Sequence, residues 1–251
     1  MELGSDFIYE KLSHRNFRRL KECQTVLQWL DPKPRERILD IGCGDGFYDR
    51  KIAKHGAKVV GIDISTKGLE TARHKNAVEG VEFHHMNAEE LDFPEGSFDK
   101  VVSFCVIEHF NDDDKVLAGI ARVLAPGGRL VFSADSLSNP EITSDEREHH
   151  RRRYAVNNFY EKQMIATKLE RAGFRVDRVK YLLTTPVALA IARLTWRLDD
   201  LPHELSLLKK GAYIVCNWIG KVISDFSELV AARPDSGLTL VVSATKAALK
   251  R

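Results

Sequence analysis

Three glycines at alternate positions, Gly42, Gly44 and Gly46, follow a short apolar run in Ile38-Leu-Asp-Ile-Gly-Cys-Gly-Asp-Gly. This pattern suits a strand that turns sharply into a helix, because glycine lets a ligand approach the backbone and adopts positive φ at little cost. Amides exposed at the start of such a helix favour a carboxylate or a phosphate. Seventeen residues beyond Gly46, a second apolar run, Val59-Val-Gly-Ile-Asp63, ends in an acid. A carboxylate at the tip of a neighbouring strand can accept two hydrogen bonds from ribose hydroxyls. Glycines alone also mark ordinary tight turns, but strand, glycines, helix, strand and acid in this order imply a nucleoside-containing ligand. A nicotinamide dinucleotide would call for GxGxxG, so that the helix closes on pyrophosphate, whereas the spacing here is GxGxG.

Two other clusters carry titratable groups. Glu108-His109 follows the strand-like run Asp99-Lys-Val-Val-Ser-Phe104, and ligands of open parallel sheets bind at the carboxyl ends of strands. An imidazole titrates near neutrality, so His109 could take a proton from an acceptor; a packing role is the plainer alternative. Farther along stands Glu148-His-His-Arg-Arg-Arg-Tyr154. Read as extended chain, it places Glu148, His150, Arg152 and Tyr154 on one side and His149, Arg151 and Arg153 on the other. Cations there suit an acidic or phosphate-bearing acceptor. The competing reading is a solvated loop neutralised by Asp145, Glu146 and Glu148. His109, Tyr154, His150 and Arg152 are thus the catalytic candidates. Cys23, Cys43, Cys105 and Cys216 show no CxxC pair and no zinc-ligand spacing, so reduced thiols in a cytoplasmic protein, and no metal site, are expected.

Regular elements must hold these groups. Residues 6–30 carry Phe17, Leu20, Val26, Leu27 and Leu30 at helical spacing before Asp31-Pro-Lys-Pro34, which ends a helix by fixing torsions and removing donors; residues 1–34 therefore read as an N-terminal helical arm. Strand patterns start at Arg37, Ala57, Val81, Asp99, Arg129, Phe174 and Leu238, with helical patterns over 47–55, 66–79, 113–124 and 158–172. Their alternation predicts an α/β fold, a doubly wound, mainly parallel sheet of seven strands with the last antiparallel. With 251 residues, 43% hydrophobic and 29% charged, the chain reads as one globular domain over 1–251. A net charge of +2 on 38 basic and 36 acidic residues is too balanced for wrapping nucleic acid. The charged start lacks a secretory core and no apolar run could span a bilayer, so neither export nor a transmembrane segment is expected.

At this point the chain resembles the class I S-adenosylmethionine-dependent methyltransferases, in particular their methyltransferase type 11, ubiquinone-menaquinone methyltransferase-like branch. Four segments carry the likeness: LDIGCGDG (39–46), VVGIDIS (59–65), MNAEELDFPEGSFDKVVSFCVIEHF (86–110) and VLAPGGRLVFS (123–133). The resemblance implies a Rossmann-like sheet and S-adenosylmethionine as cofactor, with S-adenosylhomocysteine as its product. Asp40 and the backbone of Gly42, Cys43 and Gly44 would hold the methionine part. Asp63 would hold the ribose, Ile64 would pack on the adenine, and Asn87, Ala88 and Glu89 would meet its edge. Phe104 and Cys105 would lie near the methionine amino group. The family usually has Asp where this chain has Asn87, whose amide oxygen can still accept from the adenine amine. His109 stands where relatives often have a histidine that is not a base, and 148–154 resembles their HxRxY stretch facing the substrate. The implied activity is methyl transfer to a small-molecule or lipid-like acceptor, oxygen preferred. C-methylation of a quinone-like ring and a non-catalytic cofactor-binding module are the alternatives.

Residues 184–236, between the last two strands, are too long for a loop and read as a helical insertion where relatives make a tight turn. From Leu207 to Val230, Ile214, Trp218, Val222, Phe226 and Leu229 recur at helical spacing, widened by Val215, Ile219 and Ile223, with Asn217, Lys221, Ser224 and Glu228 opposite. The first expectation is that such stripes are buried on the sheet. A substrate lid, a homodimer face or peripheral membrane contact through 186–232, with Arg193, Arg197, Lys209 and Lys210 toward headgroups, are the other uses.

Overall fold

The structure is a computed structural model that describes residues 16–199 and 207–247. One sheet has the order β3-β2-β1-β4-β5-β7-β6, where β1 is Arg37–Ile41, β2 Lys58–Asp63, β3 Val81–His85, β4 Phe98–Phe104, β5 Leu124–Asp135, β6 Phe174–Leu182 and β7 Thr239–Lys246. The pairs among β1 to β5 are parallel, and β7 runs antiparallel to both β5 and β6. Ile38, Leu39 and Ile41 of β1, Val59 and Ile62 of β2, and Val101 and Val102 of β4 are buried, as expected of parallel strands covered on both faces.

Helices α4 (Asp113–Val123) and α6 (Lys162–Arg171) cover one face with Val116, Leu117, Ile120, Ile165 and Leu169. Helices α1 (Phe17–Leu30), α2 (Phe47–Ala53) and α7 (Pro186–Asp199) cover the other with Phe17, Val26, Leu30, Ile52, Ala188 and Leu189. Each fully buried Val, Leu, Ile or Phe among them contributes about 1.5–3 kcal/mol.

Four expectations need correcting. The helix over 66–79 is α3 (Thr66–Thr71) followed by a π turn, Ala72–Asn76, where Asn76 Nδ2 donates to the Asp45 carbonyl at 2.8 Å. The helix over 158–172 starts only at Lys162, because Asn157 and Asn158 donate their amides to the Glu108 carbonyl and Tyr160 donates its amide to Asp135. The segment read as extended is helix α5, Ser144–Tyr154, nucleated by a reciprocal cap in which Thr143 Oγ1 and Glu146 each accept the other's amide. On a helix, residues four apart share a face, so His150 pairs with Tyr154 and Glu148 with Arg152.

The fourth correction concerns α8, Leu207–Ala231. Its apolar stripe is not on the sheet: Ile214, Val215, Trp218, Ile219, Val222, Ile223, Phe226 and Leu229 are all exposed, and Asn217 and Ser224 are buried. The polar face turns inward because α1 presents polar partners to it. Asn217 Oδ1 accepts the Phe17 amide at 2.9 Å, and Lys21 Nζ reaches Ser224 Oγ at 3.2 Å and Glu228 at 2.7 Å.

Candidate active site

Beyond β1 the chain turns at Gly42, with φ 74°. A Cβ there would stand 2.5 Å from Val106 Cγ2, so no larger residue fits. The Gly44 amide donates to Asp63 Oδ2 at 2.8 Å and the Ser65 amide to Asp63 Oδ1 at 2.7 Å. Asp63 therefore ties the glycine turn to the tip of β2, and each of its oxygens keeps a second lone pair for a hydroxyl. No atom lies within 4 Å of a Cβ built on Gly44, so that side of the turn is open.

It opens on a cavity of about 480 Å³ lined by Gly42, Cys43, Gly44, Asp45, Tyr48, Ser65, Lys67, Gly68, Thr71, Phe104 and Arg19. Tyr48 and Phe104 stack with ring centroids 4.2 Å apart. Of the expected cofactor residues, Gly42, Cys43, Gly44 and Phe104 border this cavity, while Asp40 and Cys105 are buried at the ends of β1 and β4. Asp63, Ile64, Asn87, Ala88 and Glu89 are not among its walls: Ile64 is 69% exposed, Ala88 is buried, and Asn87 Oδ1 accepts the Glu89 amide at 3.0 Å. Sequence reasoning missed Arg19, Tyr48 and Lys67. Arg19 carries no signal in the sequence, since only the packing of α1 over β4 and β5 brings it to the cavity.

Asp40 and Asp49 are both buried, and neither carboxyl receives a hydrogen bond from any other described residue. Burial, and then the charge of Asp49, push Asp40 well above the carboxylate range; burial carries Asp49 to about 7. The pair therefore holds a proton at neutral pH.

Beside it, α1 inserts charge over the tips of β4 and β5. Arg18 pairs with Asp135 and, at 3.0 Å, with Glu22, which also accepts from Arg19 Nη1 at 3.0 Å and Thr239 Oγ1 at 3.0 Å. The other Asp135 oxygen meets His150 Nε2 at 2.7 Å. Burial opposes ionisation of Asp135, but Arg18 and the His150 hydrogen bond outweigh it and hold the carboxyl below its usual range. Burial pushes Glu108 up to about 8, with the Asp135 charge adding to it, so at neutral pH one acid is charged and its neighbour protonated. His150 is lowered by burial against the pull of Asp135. An ionised Asp135 accepts from Nε2–H, which leaves the Nδ1 lone pair of a neutral imidazole as proton acceptor.

His150 also borders a second cavity of about 250 Å³, with Asp145, Glu146, His149, Arg153, Tyr154 and Trp196. The Tyr154 and Trp196 rings lie 4.5 and 5.7 Å from the imidazole. The other candidates are elsewhere: Arg152, its side chain 75% exposed, pairs with Glu148 at 3.1 Å. His109 Nδ1 bonds the Ala155 carbonyl at 3.1 Å and its own carbonyl accepts from Asn157 Nδ2, so it clasps the end of α5. Cys105, Glu108 and Asp135 form the one set among the described residues able to offer a metal three donors, within 4.8 Å of one another. The Arg18 guanidinium, bonded to Asp135 and 4.0 Å from Cys105 Sγ, already takes the place of a cation there.

A doubly wound sheet with a glycine turn, an acid on the next strand and a cavity beside the turn is the architecture of nucleoside-binding α/β proteins. The family described as "Methyltransferase domain" matches residues 39–132. A ubiquinone biosynthesis O-methyltransferase of Aromatoleum aromaticum is 36% identical over 138 residues, 50% of this chain and 59% of that protein. A demethylmenaquinone methyltransferase of Tropheryma whipplei is 31% identical over 176 residues, 61% of this chain and 72% of that one. Among solved structures, phosphoethanolamine N-methyltransferase 2 of Haemonchus contortus, in complex with S-adenosyl-L-methionine, matches with TM-score 0.66 and 25% identity over 90% of this chain and 52% of that one. The chain belongs to the class I S-adenosylmethionine-dependent methyltransferases, in the branch of the ubiquinone and menaquinone enzymes. The residues present fit that cofactor: the open side of Gly44 admits a ligand to the backbone, and Arg19 brings a cation to a cavity that an amino-acid carboxylate could enter.

Proposed function

We propose that this protein methylates a hydroxyl of a small or lipid-like acceptor. The observation that carries this reading is the buried His150–Asp135 pair at the tip of β5, two strands along the sheet from the glycine turn after β1. When bound, S-adenosylmethionine would supply the methyl group, its sulfur departing as the thioether of S-adenosylhomocysteine. Asp40, the Gly42–Gly44 backbone, Cys105 and Phe104 hold its methionine part, with Arg19 on the carboxylate. Asp63 holds the ribose, and Ile64, Asn87, Ala88 and Glu89 hold the adenine.

The acceptor sits in the cavity of Tyr154 and Trp196, aromatic walls that suit a ring. Consecutive residues bridge the two cavities, since Arg19 lines the first and Arg18 holds the Asp135 that orients His150. His150 Nδ1 takes the hydroxyl proton, and Asp135 stabilises the imidazolium that forms. The oxygen so freed forms its bond to the methyl carbon. Position alone, about 3–3.5 Å between the reacting atoms, supplies much of the rate. Tyr154 is a wall of this pocket, and neither His109 nor Arg152 takes part. The four free cysteines, three of them buried, fit a cytoplasmic location.

Formation of S-adenosylhomocysteine with a panel of phenols and lipid-soluble quinols tests the reading. Turnover with a hydroxylated ring, and a methoxy product by NMR, is expected. The demethylmenaquinone relative keeps a second reading open, in which the same base removes a ring proton and the new methyl sits on carbon. Cofactor binding without turnover on any acceptor would leave a binding module.

A further inference from the structure

We propose that Glu22 is a positioning residue for proton removal by His150: its carboxylate, set between Arg18 and Arg19, balances the charge of the buried strand tips and so keeps the imidazole able to take a proton. The inference rests on the base role given to His150 above. Glu22 is a wall of neither cavity and is 2% exposed, yet each of its oxygens accepts two hydrogen bonds. Oε1 accepts from Arg18 Nε and Thr239 Oγ1, both at 3.0 Å. Oε2 accepts from Arg19 Nη1 at 3.0 Å and from the Cys105 thiol at 3.4 Å. Two arginines that are neighbours on α1 thus share one acid, while Arg18 goes on to Asp135 and Asp135 to His150.

A carboxylate is costly to bury, and bonds to Thr239 and Cys105 do not require a charge. What the charge offsets is the second cation. Burial opposes ionisation of Glu22, but Arg19 and Arg18 outweigh it and hold the carboxyl below its usual range. Glu108 keeps its proton at neutral pH, and burial pushes the Cys105 thiol up. Among the described residues the ionised groups of this cluster are therefore Arg18 and Arg19 against Glu22 and Asp135. Nearby charges are engaged elsewhere: Lys21 pairs with Asp225 and Glu228 of α8, and Glu146 of α5 with Arg193 of α7. Asp145, His149 and Arg153 border the acceptor cavity beside His150 in the wild type and in every variant below. Burial lowers His150, Asp135 pulls it back up, and Arg18 and Arg19 push it down. Without the Glu22 charge the cluster carries an excess cation, which disfavours the imidazolium that proton removal creates.

The test is the titration of His150 in the full chain, followed by NMR at its ring Cε1 proton and assigned by the loss of that signal in His150→Gln. Glu22→Gln keeps the shape and removes the charge. It should lower the midpoint by on the order of one unit, the scale of a unit charge acting past one ion pair at an effective dielectric of about 20. Glu22→Asp, which keeps the charge, should stay near the wild type. Arg19→Gln removes an opposing cation from a part-exposed position and should raise the midpoint. With a hydroxyl acceptor, the rising limb of kcat against pH should move in the same direction in each variant. A midpoint unmoved in Glu22→Gln, or moved equally in Glu22→Asp, leaves Glu22 a packing residue and overturns the proposal. If Glu22→Gln does not fold, Arg19→Gln decides, and no upward shift there overturns it as well. Turnover without these shifts removes this proposal alone. Shifts of the expected sign in a protein that methylates no acceptor leave the control of His150 by Glu22 standing and remove the methyltransferase reading instead.

Discussion

The base we propose, His150, is oriented by Asp135, whose other oxygen is paired with Arg18. In His150→Gln the Nδ1 base is lost. A fall in kcat of about 10²–10⁴ with a hydroxyl acceptor is expected, with calorimetric binding of S-adenosylhomocysteine close to that of the wild type. Because burial lowers the folded pKa of His150, the neutral base predominates above a value below about 6.5. The rate should rise with pH to a plateau reached before neutrality, and the glutamine variant should lack that limb. Arg19 is a residue of the other cavity: Arg19→Ala should weaken S-adenosylhomocysteine about ten-fold or more, as loss of a charged hydrogen bond to a carboxylate does. Unchanged affinity would remove Arg19 from the cofactor site.

At the scale of elements, α1 links α8, the outer helix of the insertion, to the sheet. Its buried face alternates Phe17, Cys23, Val26 and Leu30 with Arg18, Lys21 and Glu22; the apolar set packs on the sheet and the polar set reaches the strand tips and α8. Asn217 fixes this contact by accepting the buried Phe17 amide. Asn217→Leu leaves that donor unsatisfied, at a cost of about 1–3 kcal/mol, and denaturant titration should show it. Amide exchange should rise in α8 before it rises in β1 or β4, since α8 is held to α1 by side-chain bonds and the strands by full ladders.

At the scale of the whole molecule, buried acids set the pH response. Asp49 is raised by burial to about 7 in the folded protein from an ordinary 3.8, so between those values the folded state holds more protons than the unfolded one. Stability conferred by this group is complete below the lower value and falls as pH rises through the upper. The melting temperature should therefore fall between about pH 4 and 7, and Asp49→Asn should flatten the fall. The sheet, its seven strands and the glycine turn are legible in the sequence because short apolar, β-branched runs, alternate glycines and Asp63 are local signals. The insertion was legible as helical, but not its direction. The stripe from Ile214 to Leu229 reads as a core face, and only the contact with Lys21 and the Phe17 amide turns it outward. Likewise 148–154 showed titratable groups without showing that helix α5 sorts His150 from Arg152. What the amino-acid order alone determined is thus the order of strand signals and the glycine turn with Asp63 at the end of the next strand, each carried by a short stretch of chain. Which histidine meets a carboxylate, which arginine reaches the cavity and which face of α8 is bare depended on residues 15 to 207 positions apart, whose meeting is a product of tertiary packing.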